Sequence, residues 1–127
     1  MNILAAGQAA YQQGEVLRRL GELERAETAY REANECGREP QPGLALLRLA
    51  QGDADAAAAA VRRCLAETRS PLKRSRLLPA YAEIQIAAGN LEEARGAANE
   101  LAEVARRYPS AMLSAIADSV QGAVELA

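Results

Sequence analysis

The chain has no histidine, no tryptophan and no phenylalanine, and its only aromatic side chains are four tyrosines. It therefore lacks the side chain that most often transfers protons or binds zinc near neutral pH. The two cysteines, Cys36 and Cys64, have no CxxC spacing and no partner to activate a thiol, which favours buried thiols over a zinc site or a disulfide framework. The scattered acidic residues lie mainly at predicted helix starts, where they complement the helix dipole. We expect no catalytic residues, no cofactor and no metal.

Charge and hydropathy exclude two further classes of partner. The formal net charge of −2 gives no global attraction to nucleic acid or to an anionic membrane. No apolar run reaches the ~18 to 20 residues that span a bilayer. The first residues, MNILAAGQAAYQQGE, lack the basic segment of a secretory signal. We expect a cytoplasmic chain without membrane or direct nucleic-acid contact.

Small residues of high helix propensity dominate what is present. Half of the residues are hydrophobic, most of them alanine and leucine, and few favour strands. The length of 127 residues is that of one domain. The composition predicts a single all-α domain over residues 1–127, with helices packed closely against one another.

A hexapeptide that begins with glycine and ends with alanine occurs four times, as GELERA, GDADAA, GNLEEA and GAVELA. The glycines are Gly21, Gly52, Gly89 and Gly122, at spacings of 31, 37 and 33 residues. Apolar or small residues recur two, five, nine and twelve positions after the first three glycines, which traces one face of a helix. Small and apolar residues seven and five positions before each glycine indicate a preceding helix. The pattern predicts helical hairpins repeated along the chain.

Glycine is expected to end the first helix of each hairpin in the left-handed conformation. Asp53 and Asn90 are candidate N-caps for the helices that follow, and Asn90 with Glu93 has the spacing of a capping box. GAVELA is predicted to form the fourth such turn, at the boundary of a truncated repeat. Residues 122–127 are therefore expected to be frayed or held by a neighbouring molecule. The predicted helices are about 3–19, 22–36, 42–51, 53–68, 71–88, 90–107 and 111–121.

Gly14, Gly21, Ala26, Tyr30 and Ala33 resemble the tetratricopeptide repeat, which has these residue types at this spacing. Later units replace the aromatic residue and the last alanine, and no unit has the tryptophan of the family. The resemblance implies a right-handed superhelix of antiparallel helix hairpins, an α-solenoid of about seven helices. Its units would be about 7–37, 38–69, 71–108 and a truncated 109–127; an irregular helical bundle is the alternative.

Two longer phrases, REPQPGLALLRLAQGDADAA (38–57) and LLPAYAEIQIAAGNLEEARGAANELAEVARRY (77–108), are similar to the tetratricopeptide region of large actinobacterial LuxR-type transcriptional regulators. This resemblance implies an excerpt or short paralogue of that helical region. It carries over no DNA-contacting residue, because the matching positions lie in the repeats only. No Walker A motif is present, so ATP binding is not assigned.

The resemblance also implies a concave groove lined by the first helices of successive units. Its mixture of apolar and charged side chains suits an amphipathic helix or an extended peptide. It lacks the lysine and asparagine set with which some family members hold a C-terminal carboxylate. Leu46, Leu49 and Ile86 have packing between units as their alternative role. The projected groove residues are Tyr11, Glu15, Arg18, Leu46, Leu49, Arg76, Glu83, Ile86, Met112 and Ile116.

A basic patch surrounds the loop in RRCLAETRSPLKRSR, residues 62–76. It indicates contact with an anion or an acidic partner, or else a solvated loop whose long side chains cover alanines. Its cations are Arg62, Arg63, Arg69, Lys73, Arg74 and Arg76.

Three functions follow. The leading one is a non-catalytic interaction or sensor module that binds a protein, a peptide or another domain of the same polypeptide, as part of a larger transcriptional regulator. The alternative is a structural spacer or self-association domain that forms a homodimer. A DNA-binding regulator in its own right is disfavoured by the balanced charge and the absence of a recognition motif.

Overall fold

A computed structural model describes residues 2–127, and over these residues the chain forms seven α-helices and no strand. The all-α class predicted from composition is therefore confirmed. The first six helices begin and end within one residue of their predicted bounds. Among residues 2–127, no helix has the length and apolar character that crossing a bilayer requires. The helices are α1 (Ile3–Arg19), α2 (Leu23–Glu35), α3 (Gly43–Ala50), α4 (Ala54–Glu67), α5 (Pro71–Ala87), α6 (Leu91–Arg107) and α7 (Ala111–Leu126).

Glycine ends the helices as the hexapeptide predicts. Gly21, Gly52 and Gly89 have φ angles of 82°, 87° and 81°, in the left-handed region that disfavours other residues. At the last of these turns the Gly89 N–H donates to the Ile86 carbonyl at 3.1 Å, and the Asn90 N–H to the Gln85 carbonyl at 2.8 Å. These two bonds form a Schellman motif, which satisfies carbonyls that the helix end would otherwise leave unpaired.

The fourth copy of the hexapeptide does not form a turn. Helix α7 runs through Gly122 to Leu126, and Gly122 is absent from the glycines with positive φ. The prediction of a turn and a frayed end at 122–127 is therefore wrong. A helical glycine costs only about 1 kcal/mol relative to alanine. Burial of Val124, which is 2% exposed, offsets much of that cost, so the helix continues.

Of the two helix caps predicted from the sequence, one forms and one does not. The Ala56 N–H donates to Asp53 Oδ1 at 3.0 Å, so Asp53 caps the start of α4 as predicted. Asn90 makes no side-chain cap; its Nδ2 donates to Gln85 Oε1 at 2.9 Å instead. The capping box with Glu93 is therefore wrong, because both side chains bond to α5 rather than to each other.

The chain divides into two compact units, Met1–Ala57 and Ala58–Ala127. The single-domain organisation stays a prediction. In the first unit α1 and α2 form an antiparallel pair, with Gly14 facing Tyr30 and Gly7 facing Cys36. A Cβ at Gly14 would lie 2.7 Å from the Tyr30 ring, so glycine is what lets the two helices approach. The core of this unit consists of Ala10, Tyr11, Leu17, Ala26, Ala29, Tyr30, Ala33 and Leu47.

In the second unit α6 packs antiparallel against both α5 and α7. Contacts between Tyr81 and Glu93 and between Arg74 and Glu100 set the direction of α5 against α6. Helices α6 and α7 are joined by the short connection 108–110 and contact each other, so they also form an antiparallel pair. Since α5 and α7 also contact each other, they are parallel neighbours. Cys36 and Cys64 are half-buried rather than buried.

Candidate functional site

In the first unit, Glu15 and Arg18 of the projected groove belong to a polar network around Tyr30. The Tyr30 hydroxyl donates to Glu15 Oε1 at 2.7 Å, and it accepts from Arg18 Nε at 3.1 Å. Arg18 Nη2 also donates to Glu15 Oε2 at 2.9 Å. The side chains of Glu15 and Arg18 are only 14% and 15% exposed, so their polar groups are occupied within the chain.

Tyr11 and Gly43 attach α3 to this network. The Gly43 N–H donates to the Tyr11 hydroxyl at 3.0 Å, and the Arg38 guanidinium lies 3.8 Å from the centre of the Tyr11 ring. A Cβ added at Gly43 would overlap Glu15 Oε1. Burial and the hydrogen bond to Glu15 raise the pKa of Tyr30, and burial raises the pKa of Tyr11. Both hydroxyls are therefore protonated at neutral pH, and these groups hold helices together.

In the second unit a groove lies between α5 and α7. Its volume is about 350 Å³. It includes Glu83 and Ile86, which the resemblance projected, whereas Leu46 and Leu49 lie half-buried on α3 in the first unit. We call it the α5–α7 groove. Its lining residues are Pro79, Ala82, Glu83, Ile86, Ser119, Val120 and Ala123.

Two stripes of exposed or half-buried side chains follow the walls of the α5–α7 groove. Their members are spaced by four and three residues in alternation, which keeps each stripe on one face of its helix. Arg76, Met112 and Ile116, also projected from the sequence, lie on these stripes beyond the groove itself. The α5 stripe is Leu72, Arg76, Pro79, Glu83 and Ile86, and the α7 stripe is Met112, Ile116, Ser119, Ala123 and Leu126.

The projection missed five lining residues, of which Ser119, Val120 and Ala123 come from α7. It missed Ala123 because it placed a turn at Gly122. Ser119 and Val120 lie within the predicted helix 111–121, but the projected groove residues ended at Ile116. The signal was present, since the spacing of four and three residues continues from Met112 to Leu126. On α5 the missed residues are Pro79 and Ala82.

Arg74 of the basic patch is not available to an external anion. Its Nε and Nη2 donate to Glu100 Oε2 and Oε1 at 2.6 and 3.0 Å, a bidentate pair. Its Nη1 donates to the carbonyls of Leu65 and Thr68 at 2.5 and 3.1 Å, at the end of α4. The hydrogen bond with Glu100 raises the pKa of Arg74. Arg74 therefore joins the end of α4 to α5 and α6.

The other cations of the basic patch fall into two groups. Arg62 lies 6.0 Å from the centre of the Tyr81 ring, and the Tyr81 hydroxyl donates to Glu93 Oε2 at 2.8 Å. Within residues 2–127, the remaining cations are exposed, and their side chains form no hydrogen bond or ion pair. They are Arg63, Arg69, Lys73 and Arg76.

A second, wider depression of about 610 Å³ lies between α4, α5 and α6. The bidentate pair of Arg74 and Glu100 lies in its wall, together with Arg62 and Tyr81. Most of its charged groups are thus already paired within the chain, which leaves the α5–α7 groove as the better candidate for an external ligand.

No metal centre competes with this assignment within residues 2–127, because no three side chains of histidine, cysteine, aspartate or glutamate lie close enough together to hold an ion. The α5–α7 groove is therefore a candidate surface for contact, formed by apolar and small side chains with one carboxylate. In comparisons with models of protein families, with curated proteins and with solved structures, no match to this chain was found.

Proposed function

We propose that the chain is a non-catalytic interaction module that binds an amphipathic segment of a partner in the α5–α7 groove. The observation that carries the proposal is the open groove between two parallel helices. Ile86, Val120 and Pro79 offer apolar surface there, and Ala82, Ser119 and Ala123 are small enough to leave room for an inserted side chain.

The proposal extends to the architecture and to the cellular setting. Antiparallel helix pairs with glycine turns at repeating intervals support a tetratricopeptide-like solenoid, with the right-handed superhelix of that family. The phrases at 38–57 and 77–108 support a place in a larger bacterial LuxR-type regulator, in the cytoplasm. The partner is then a peptide, another protein or another domain of the same polypeptide, and occupancy of the groove alters the position of the attached regulatory domain.

The groove is tested by filling it. A displayed library of random peptides about four helical turns long (~15 residues) is selected on the wild-type chain and on Ala123→Trp. Ala59→Trp is the matched control, because Ala59 is an exposed alanine of α4 outside the groove. We expect enriched peptides to bind the wild type and the control but not Ala123→Trp. Equal binding to all three chains, or no enrichment at all, would refute the proposal.

Self-association is a second candidate, favoured by the apolar residues at the two ends of the α7 stripe. Met112 and Leu126 are 73% and 90% exposed, and such surface is often buried between copies. Sedimentation equilibrium over a range of concentrations measures the mass of the wild type and of a Met112→Glu, Leu126→Glu variant. A mass that rises with concentration only in the wild type supports a homodimer, and a monomeric wild type excludes it.

A further inference from the structure

We infer that the ligand of the α5–α7 groove is an amphipathic helix with a defined order of charges along its axis. An acidic residue of that helix faces Arg76, a basic residue faces Glu83, and apolar side chains face Ile86 and Ala123. This inference rests on the function proposed above and specifies the chemistry of the partner.

The first support is that Arg76 and Glu83 are exposed charges without partners in the chain. Neither side chain forms a hydrogen bond or an ion pair within residues 2–127, and both are exposed. They lie on the same face of α5, seven residues apart. At 1.5 Å per residue, that separation is about 10 Å along the helix, too far for a salt bridge between them.

The sequence around these two charges offers no local partner. A charge on a helix meets the residues three and four positions away on either side. For Arg76 these are Leu72, Lys73, Pro79 and Ala80, and none is acidic. For Glu83 they are Pro79, Ala80, Ile86 and Ala87, and none is basic. Both charges are thus left available to an external group.

Other helices of the chain do pair such charges. Glu15 with Arg18 and Glu103 with Arg106 are ion pairs at a spacing of three residues, and Glu27 with Arg31 at a spacing of four. Arg63 of α4 is also an exposed cation without an ion pair, but it lies away from the groove, whereas Arg76 and Glu83 lie on the stripe that follows the groove wall. Complementary charges on a partner would supply what the chain itself does not.

The opposite wall adds no competing charge, because the five members of the α7 stripe are all uncharged. The order of charges is therefore set by α5 alone: cationic at Arg76, anionic at Glu83 and apolar at Ile86. Lys73 precedes Arg76 by three residues on α5 and adds a second cation at this end. A helical partner matches this order with an acidic residue opposite Arg76, a basic residue seven positions away opposite Glu83, and an apolar residue three or four positions further opposite Ile86. The partner helix can run parallel or antiparallel to α5, provided that the three residues follow one another in this order along α5.

Three synthetic helical peptides about four turns long (~15 residues) provide the test. The matched peptide has glutamate, lysine and leucine in the order given above. The swapped peptide exchanges the glutamate and the lysine, and the neutral peptide has glutamine at both positions. Their affinities are measured by fluorescence anisotropy for the wild type, for an Arg76→Glu, Glu83→Lys variant, and for Arg63→Glu. Arg63→Glu is the matched control, because Arg63 is an exposed, unpaired cation outside the groove.

The matched peptide should bind the wild type about tenfold more tightly than the swapped one. It gains two exposed ion pairs, whereas the swapped peptide places like charges together at both positions. The neutral peptide should lie between them, and added salt should reduce the difference. The Arg76→Glu, Glu83→Lys variant should prefer the swapped peptide, and Arg63→Glu should behave as the wild type does.

Equal affinity for the three peptides, or a preference that the reversed variant does not invert, overturns the charge order. If Ala123→Trp still abolishes the binding, the proposed groove is retained. Random peptides that bind the groove without this order, while none of the three designed peptides binds, also overturn it. Failure of the random library to yield any binder overturns the proposed function, and the charge order falls with it.

Discussion

The path of the chain at Gly122 is open to a direct test by Gly→Ala substitution. Gly122 lies inside α7, and a Cβ added there would meet no atom within 4 Å. Alanine should therefore stabilise the helix by about 0.5 to 1 kcal/mol, because glycine loses more backbone entropy on folding. If GAVELA formed a turn with positive φ, the same substitution would be destabilising.

Gly89 is the matched control in the same unit. Its Cβ would also meet nothing within 4 Å, but its φ of 81° is left-handed. Gly89→Ala should lower the free energy of unfolding by about 1 to 2 kcal/mol, the cost of an L-residue in that conformation. The two variants should thus differ by about 1.5 to 3 kcal/mol in urea unfolding followed by circular dichroism. A Gly122→Ala chain that loses stability as Gly89→Ala does would refute the continuous α7.

Three further substitutions test the contacts within the units. Gly43→Ala should cost about 1 to 3 kcal/mol of unfolding free energy in urea melts, because its Cβ would displace Glu15 from Tyr30; an unchanged melt would show that α3 does not pack there. Arg74→Met should lower the unfolding free energy more than Glu100→Gln does, since Arg74 also bonds to two carbonyls of the chain. A double-mutant cycle of the two residues should give a coupling energy of about 1 kcal/mol. Zero coupling would contradict the bidentate pair. Because the pKa of Tyr30 is raised in the folded state, its stabilising contribution is complete below pH 10 and is lost as the pH rises towards the folded-state pKa. Tyr30→Phe should therefore reduce the alkaline fall of the unfolding free energy by about 1.4 kcal/mol per pH unit, and an unchanged pH slope would argue against its burial.

The sequence was a good guide to the helices because their signals are local. Six helices lie within one residue of their predicted bounds, and Gly21, Gly52 and Gly89 take the left-handed conformation expected of a helix end. It was a poorer guide to polar side chains whose partners come from another helix. Glu93 has capping-box spacing with Asn90 but accepts from Tyr81 instead. A spacing rule cannot identify such a partner, because it contains no information on which helices are neighbours.

In the candidate site, too, the sequence predicted features within one helix better than contacts between helices. The resemblance placed Glu83 and Ile86 in a groove, and the groove between α5 and α7 includes both. It could not identify Ala123, because the fourth glycine hexapeptide was interpreted as another turn. It missed Ser119 although that residue continues the helical spacing of Met112 and Ile116. Nor could it separate Arg74 from the other cations of the basic patch, since its pairing with Glu100 spans 26 residues.

By itself the sequence determined that the chain is helical and where most helices begin and end, because helix propensity, glycine turns and a cap such as Asp53 act over a few residues. Only the tertiary structure decided whether a repeated hexapeptide becomes a turn or stays helical, since the burial of Val124 favours the helix at Gly122. It also decided which charges are already paired and which remain available. Arg74 and Arg76 are two residues apart in sequence, yet only Arg74 meets a carboxylate, because only its face of α5 turns towards α6.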